Sequence, residues 1–120
     1  MVEFSIVSVV FFLLVFGAIG FGQAIYNYNI VSNAARAAVR WAVVRGSSSG
    51  QTAATASDVH DYIVTQMNGI AETDTVTWIS DTKPGSTVQV VVRANYTISI
   101  PNMTTYTVPL RSRARMIIAR

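Results

Sequence analysis

Phe4–Gly22 reads FSIVSVVFFLLVFGAIGFG, and this stretch decides the architecture. It is almost wholly apolar, and no Asp, Glu, Lys or Arg occurs between Glu3 and Arg36. About 20 apolar residues suffice to cross a bilayer as a helix. A secretory signal needs a basic segment before the apolar run and a small-residue cleavage site after it. Here the only charged side chain before the run is Glu3, so the stretch is read as a retained membrane helix. Basic residues follow the span and do not precede it. Taken alone, that asymmetry would put the C-terminal side in the cytoplasm. Gly17, Gly20 and Gly22 lie late in the run, and Ala18 and Gly22 are four apart. Such small-residue spacing lets helix backbones approach closely, although a glycine-tolerant membrane helix accounts for it equally.

The helical pattern continues outward from the span. Ala24–Arg45, AIYNYNIVSNAARAAVRWAVVR, sets alanines and valines against Asn27, Asn33, Arg36 and Arg40 at helical spacing. Arg36 and Arg40, four apart, share one face. With Gly46 as an expected C-cap, one helix of about 40 residues and ~60 Å is predicted, apolar all round in one half and amphipathic in the other. GSSSGQTAATAS, Gly46–Ser57, has the composition of a flexible linker or exposed loop. A short helix over Asp58–Asn68 is predicted next, capped by Ser57 or Asp58 and lined on one side by Val59, Tyr62, Ile63, Met67 and Ile70.

The remainder reads as strands. Thr75–Ser80 is β-branched and aromatic, and Asp81–Ser86 is a turn with Pro84-Gly85 in type II order. Strict alternation then puts Val88, Val90, Val92, Ala94, Tyr96, Ile98 and Ile100 on one face. Gln89, Arg93, Asn95, Thr97 and Ser99 fall on the other, with Val91 as the exception. Pro101–Thr105 is a hairpin loop. The last strand has Val108, Leu110, Ala114, Met116 and Ile118 inward, and Arg111, Arg113 and Arg115 outward. The expected fold class is therefore α+β: a long N-terminal helix, a short second helix and a three-stranded antiparallel sheet. The two helices are the available cover for the sheet's apolar side. Two parts are expected, an apolar segment over residues 1–23 and a small domain over residues 24–120.

Composition limits the chemistry. The chain has 120 residues, 51% hydrophobic and 12% charged, against about a quarter charged in a typical soluble domain. No cysteine is present, which rules out disulfides and thiolate metal sites. The net charge of +3 comes from eight arginines and one lysine against six acids. The arginines cluster at residues 36–45 and 111–120. They are read as a solvated or partner-facing surface in preference to a nucleic-acid footprint. His60, the single histidine, lies between Asp58 and Asp61 in a first helical turn and is read as solvated. No nucleophile elbow, phosphate loop or metal-binding pattern is found, so no catalytic, cofactor or metal residues are assigned and a non-enzyme is expected. Asn95-Tyr96-Thr97 and Asn102-Met103-Thr104 are possible glycosylation sequons if exposed.

Val2–Val7 (VEFSIV), the apolar run and FGQAIYNYNIVSNAARAAVRWAVVR together resemble the TadE-like family of tight-adherence pilus systems, whose members show a VEFALV-like start and a phrase similar to FGRALYVRNALQNAAREGARYA. Phe21–Tyr26 and Asn33–Arg40 carry the closest match, and VQVVVRANYTI and VPLRSRARMII look like the family's ending. The resemblance implies a prepilin-like life: a prepilin peptidase removes a short basic leader, and assembly machinery draws the membrane-held subunit into a filament of identical subunits on the cell surface. The leader's basic residues would hold the N-terminus in the cytoplasm, which reconciles the charge asymmetry. It also implies that Glu3 matches the pilin glutamate that pairs with a neighbour's N-terminal amine, although Glu3 stands third here and that glutamate fifth in mature pilins. Hydration of Glu3 among lipid headgroups is the alternative. Subunit assembly is thus expected to use Glu3, Phe4, Phe11, Phe12, Phe16, Gly17, Ala18 and Gly22, with Arg111, Arg113 and Arg115 meeting solvent or a partner. A structural adhesive filament is expected; a minor pseudopilin and a non-polymerising membrane-anchored binding module are the rivals.

Overall fold

In a computed structural model, which describes residues 1–67, 69–70, 72–79, 81–98 and 105–119, the chain runs α1 (Val2–Val44), α2 (Ala56–Met67), β1 (Glu72–Trp78), β2 (Thr87–Ile98) and β3 (Tyr106–Ile117). The α+β class and the order of elements agree with the sequence reading. The molecule is long and thin, 74 × 20 × 20 Å, because α1 alone, at 1.5 Å per residue, is about 64 Å long.

α1 is continuous through Gly17, Gly20 and Gly22. Its serines do not interrupt it: the Ser5 and Ser8 hydroxyls donate to the carbonyls of Met1 and Ser5, at 3.1 and 3.0 Å. Those bonds satisfy the polar side chains inside the helix's own envelope, as an apolar medium requires. The outer half buries a stripe of Val31, Ala34, Ala35, Ala38, Val39, Ala42 and Val43, the three-and-four spacing of one helical face. Four of these seven residues are alanines, so the sheet can approach the helix backbone closely. The helix ends at Arg45 with a tightened bond from its N–H to the Ala42 carbonyl (3.1 Å). Gly46 follows without the left-handed φ of a glycine cap, so the expected Gly46 cap is replaced by this shorter-range bond.

Nor is Gly46–Ser57 a free linker. Ala54 is buried, and its N–H bonds the Arg45 carbonyl at 2.9 Å; the Ser47 N–H reaches the Thr82 carbonyl at 3.0 Å. The polar composition suggested mobility, but the loop's backbone donors find long-range acceptors. It leads into a capping box at α2. Thr55 occupies the N-cap, and its N–H and hydroxyl both donate to Asp58 Oδ2, at 2.9 and 2.6 Å. The sequence reading put the cap at Ser57 or Asp58; Asp58 takes part from inside the helix, while Thr55 is the capping residue. Hydrogen bonds from Thr55 hold the Asp58 carboxyl below its usual 3.8. A carboxyl with a depressed folded pKa stabilises the fold fully above the unfolded value, and the contribution is lost as pH falls through the folded one. Acid titration followed by circular dichroism should therefore show α2 fraying only below about pH 4. Thr55→Ala should cost about 1 kcal/mol at neutral pH.

The sheet is a plain antiparallel meander, β1-β2-β3. At the β1–β2 connection the Ser86 N–H bonds the Lys83 carbonyl at 3.1 Å, with Pro84 and then Gly85 (φ +88°) between them. This is the expected type II turn, which needs a residue tolerant of positive φ at its third position. In β2, Val88, Val90, Val92 and Ala94 are buried against α1, joined by Val59, Ile63 and Met67 of α2 and by Ile118. β3 keeps the expected phase, with Arg111, Arg113 and Arg115 exposed and Leu110 and Ala114 half-buried. Its inner face is only partly covered, however, and Val108 and Met116 remain 37% and 41% exposed. The physical cause is width: strands lie about 4.8 Å apart, and one helix about 10 Å across cannot roof the centre and an edge fully. Val91, the exception to alternation, is buried on the outer face, where its cross-strand neighbours are Thr75 and Arg113. Ile100 and the Pro101–Thr104 part of the expected hairpin loop lie outside the described residues.

Candidate functional site

Two features stand outside the core. The first is the inner half of α1. Phe4, Phe11, Phe12, Phe16, Gly17, Ala18 and Gly22 are all exposed, and none meets the domain. A cylinder 10 Å wide and 30 Å long has a lateral area on the order of 1,000 Å². That exceeds the few hundred Å² of contiguous apolar surface a monomeric soluble protein shows. Phe11, Phe12 and Phe16 form a small aromatic ladder, with centroids 5.8 and 6.4 Å apart. A Cβ added at Gly17, Gly20 or Gly22 would meet nothing within 4 Å, so packing inside the chain does not require these glycines. Glu3, in the first turn of α1, is exposed and has no ion-pair partner among the described residues. This segment is long and apolar enough to cross a membrane and contributes nothing to the fold of the domain.

The second feature is a groove of about 770 Å³ at the α1–β3 side. Arg36, Arg40 and Arg45 of α1 and its end line it together with Arg113 and Arg115 of β3. Residues some 70 positions apart are thus gathered into one basic surface, and no carboxylate lines it. Of the three candidate arginines on β3, Arg111 stands apart. It pairs directly across from Arg93 on the outer sheet face, a like-charge juxtaposition that disfavours pairing unless a partner offsets it. Arg115 is oriented by a bond from its Nε to Gln89 Oε1 at 2.6 Å. At the helix end, Trp41 stacks on Tyr62 of α2 at 5.5 Å and 19°, and the Arg45 guanidinium lies 4.2 Å from the Trp41 ring. Trp41→Ala removes an aromatic stack and a cation–π contact, together about 1–2 kcal/mol. Thermal unfolding of the variant should show that loss, with α2 loosening first in hydrogen exchange.

Sequence reasoning missed two pairings because each joins distant segments. One is the Trp41–Tyr62 stack. The other is the hydrogen bond from the Tyr96 hydroxyl to Gln23 Oε1, at 2.8 Å across 73 residues. Alternation and helical spacing show which face a residue takes but not which residue it meets. Asn95 is exposed on β2; Asn102 lies outside the described residues. Among the described residues, no three or more His, Asp or Glu side chains come together as a metal site would require.

The family model described as TadE-like protein matches residues 1–40, the same segment that carries the apolar helix and the FGQAIY and NAARAAVR phrases. No curated protein and no solved structure matches the chain. In its N-terminal third, apolar helix included, the chain is therefore matched to the TadE-like family, which is associated with the tight-adherence pilus.

Proposed function

We propose that this chain is a filament subunit whose work is assembly and not catalysis. The carrying observation is an exposed apolar half-helix, rigidly continuous with the helix that anchors the domain's core. Before assembly the half-helix resides in the membrane. On assembly it exchanges lipid for the same segment of identical subunits. Lipid tails are as apolar as the side chains, so the gain comes from packing more than from dehydration. Gly17, Ala18 and Gly22 offer the close approach such packing uses. The sheet and α2 form the outer coat, with Arg113 and Arg115 available to a neighbouring subunit or an acidic surface. Adhesion is the role proposed for the fibre. A prepilin peptidase and the pilus assembly machinery are the partners inferred with it.

A minor pseudopilin would use the same helix, and abundance separates the two readings. Electron microscopy of sheared cell-surface material, with mass spectrometry of the same fraction, should show thin fibres in which this chain dominates. A trace amount in the fibres supports the pseudopilin. Complete retention in the membrane as a detergent-stable monomer overturns the filament reading in favour of an anchored module.

A further inference from the structure

Two long-range hydrogen bonds set the height of the sheet along α1. At the outer end the Ser47 N–H bonds the Thr82 carbonyl, close to the end of α1. At the inner end the Tyr96 hydroxyl bonds Gln23. β2 therefore descends along α1 toward the apolar half and reaches Gln23 two residues before its own end. Thr97 and Ile98 continue the strand, and Ile98 pairs with Tyr106 of β3. Two residues at about 3.3 Å each add about 7 Å. The paired strand ends therefore extend past the Tyr96–Gln23 contact toward the end of the apolar run at Gly22.

Charge follows the same boundary. No charged residue occurs in positions 4–35 of the helix, and none occurs in positions 94–110, which include the ends of both strands. On the β2–β3 pair the first charges are Arg93 and Arg111, directly opposite each other, and on β1 Glu72 lies opposite Ala94. Exposed tyrosines flank this boundary on both elements: Tyr26 and Tyr28, just after the apolar run of α1, and Tyr106, the first residue of β3, are 66%, 48% and 63% exposed, and Ile25 of α1 is exposed as well. Exposed tyrosines one turn beyond an apolar span fit the headgroup layer, where an apolar ring and a polar hydroxyl are both accommodated.

We propose that the inner end of the β2–β3 pair is a lipid-binding surface. It seats in the headgroup layer of the bilayer that holds α1, with Tyr26, Tyr28 and Tyr106 as its aromatic belt. The domain then has two membrane attachments, the span and the strand ends, and the second fixes its rotation about the helix axis. The Tyr96–Gln23 bond couples the two. This inference rests on the reading that α1 lies in the membrane, and it is independent of whether the chain polymerises.

The cysteine-free chain permits a direct test. The full-length variants Tyr106→Cys, Thr107→Cys, Lys83→Cys and Phe12→Cys each receive an environment-sensitive fluorophore. They are then reconstituted into phosphatidylcholine vesicles containing phosphatidylglycerol and lipids spin-labelled at shallow and deep acyl positions. Labels at 106 and 107 should be quenched severalfold more by the shallow spin label than the label at 83, which sits in the turn at the far end of the sheet. The label at 12 should respond to the deep one. If the labels at 106 and 107 are quenched no more than that at 83, while 12 is quenched, the strand ends do not touch lipid and the proposal fails alone. If position 12 also escapes quenching, the membrane reading of α1 fails and takes the proposal with it.

Discussion

Glu3→Gln is expected to lower the amount of this chain in sheared surface fibres by a hundredfold or more, with its level in the membrane unchanged. Glu3 stands at the edge of an apolar helix, exposed and without an ion-pair partner among the described residues. In a membrane it can stay hydrated at the headgroups. In a packed core of helices that hydration is lost, and a buried carboxylate is strongly disfavoured unless a cation pairs with it. The amine at a neighbour's N-terminus is the partner we propose. Removing one member of a buried pair leaves the other uncompensated, at a cost of about 3–5 kcal/mol. That cost exceeds a hundredfold in subunit affinity, since about 1.4 kcal/mol is tenfold. Quantitative mass spectrometry of fibre and membrane fractions reads the effect. Fibres of the variant at the wild-type level would show that Glu3 is merely hydrated and that assembly rests on apolar packing alone.

Ile63→Ala should destabilise the domain by about 2–5 kcal/mol, the range for deleting a large aliphatic side chain from a packed site. Ile63 is fully buried on α2, in the cluster that joins both helices to β2. For a domain under about 100 residues each kcal/mol moves the midpoint by about 4–8 °C, so the loss should appear as a fall of roughly 8–40 °C. The total stability of such a domain is only about 5–15 kcal/mol, so the variant approaches global unfolding. Unfolding followed in detergent by tryptophan fluorescence reports this, because Trp41 and Trp78 both pack against the same cluster. The helical signal of residues 2–22 should survive, since that half of α1 makes no contact with the core. A midpoint within a few degrees of wild type would mean that α2 is dispensable to the core.

The two variants divide the molecule. Ile63→Ala attacks the domain and leaves the span, whereas Glu3→Gln leaves the domain and attacks assembly. If the domain's only task were to cap an inert anchor, Ile63→Ala would not alter fibre yield. A subunit coat built from the domain requires that yield to fall with stability.

Much of the fold was legible in the residues. The apolar span followed from Phe4–Gly22, because a bilayer needs a long uncharged helix and few soluble folds tolerate one. The buried stripe from Val31 to Val43 followed from its three-and-four spacing, and the inward face of β2 from its alternation. Pro84-Gly85 specified its own turn, since only glycine takes the positive φ there without strain. Each of these signals is local: it depends on dihedral preference or on periodicity within one element.

Tertiary structure decided what depends on distance between elements. Arg36 and Arg40 could be placed together on the helix, and Arg113 and Arg115 on the strand, but only packing brought the four to one groove. Gly46–Ser57 read as a linker because its composition is polar, yet Ala54 is buried and its N–H is held by the Arg45 carbonyl. The partial exposure of Val108 and Met116 came from the width of the helical roof, a quantity absent from either strand. The Tyr96–Gln23 bond joined the end of β2 to α1 just past its apolar run, a pairing that neither segment shows alone. Composition and periodicity determined that this chain has a membrane-length helix and a small α+β domain. The register between helix and sheet, a product of side-chain shape across the core, determined where one ends against the other.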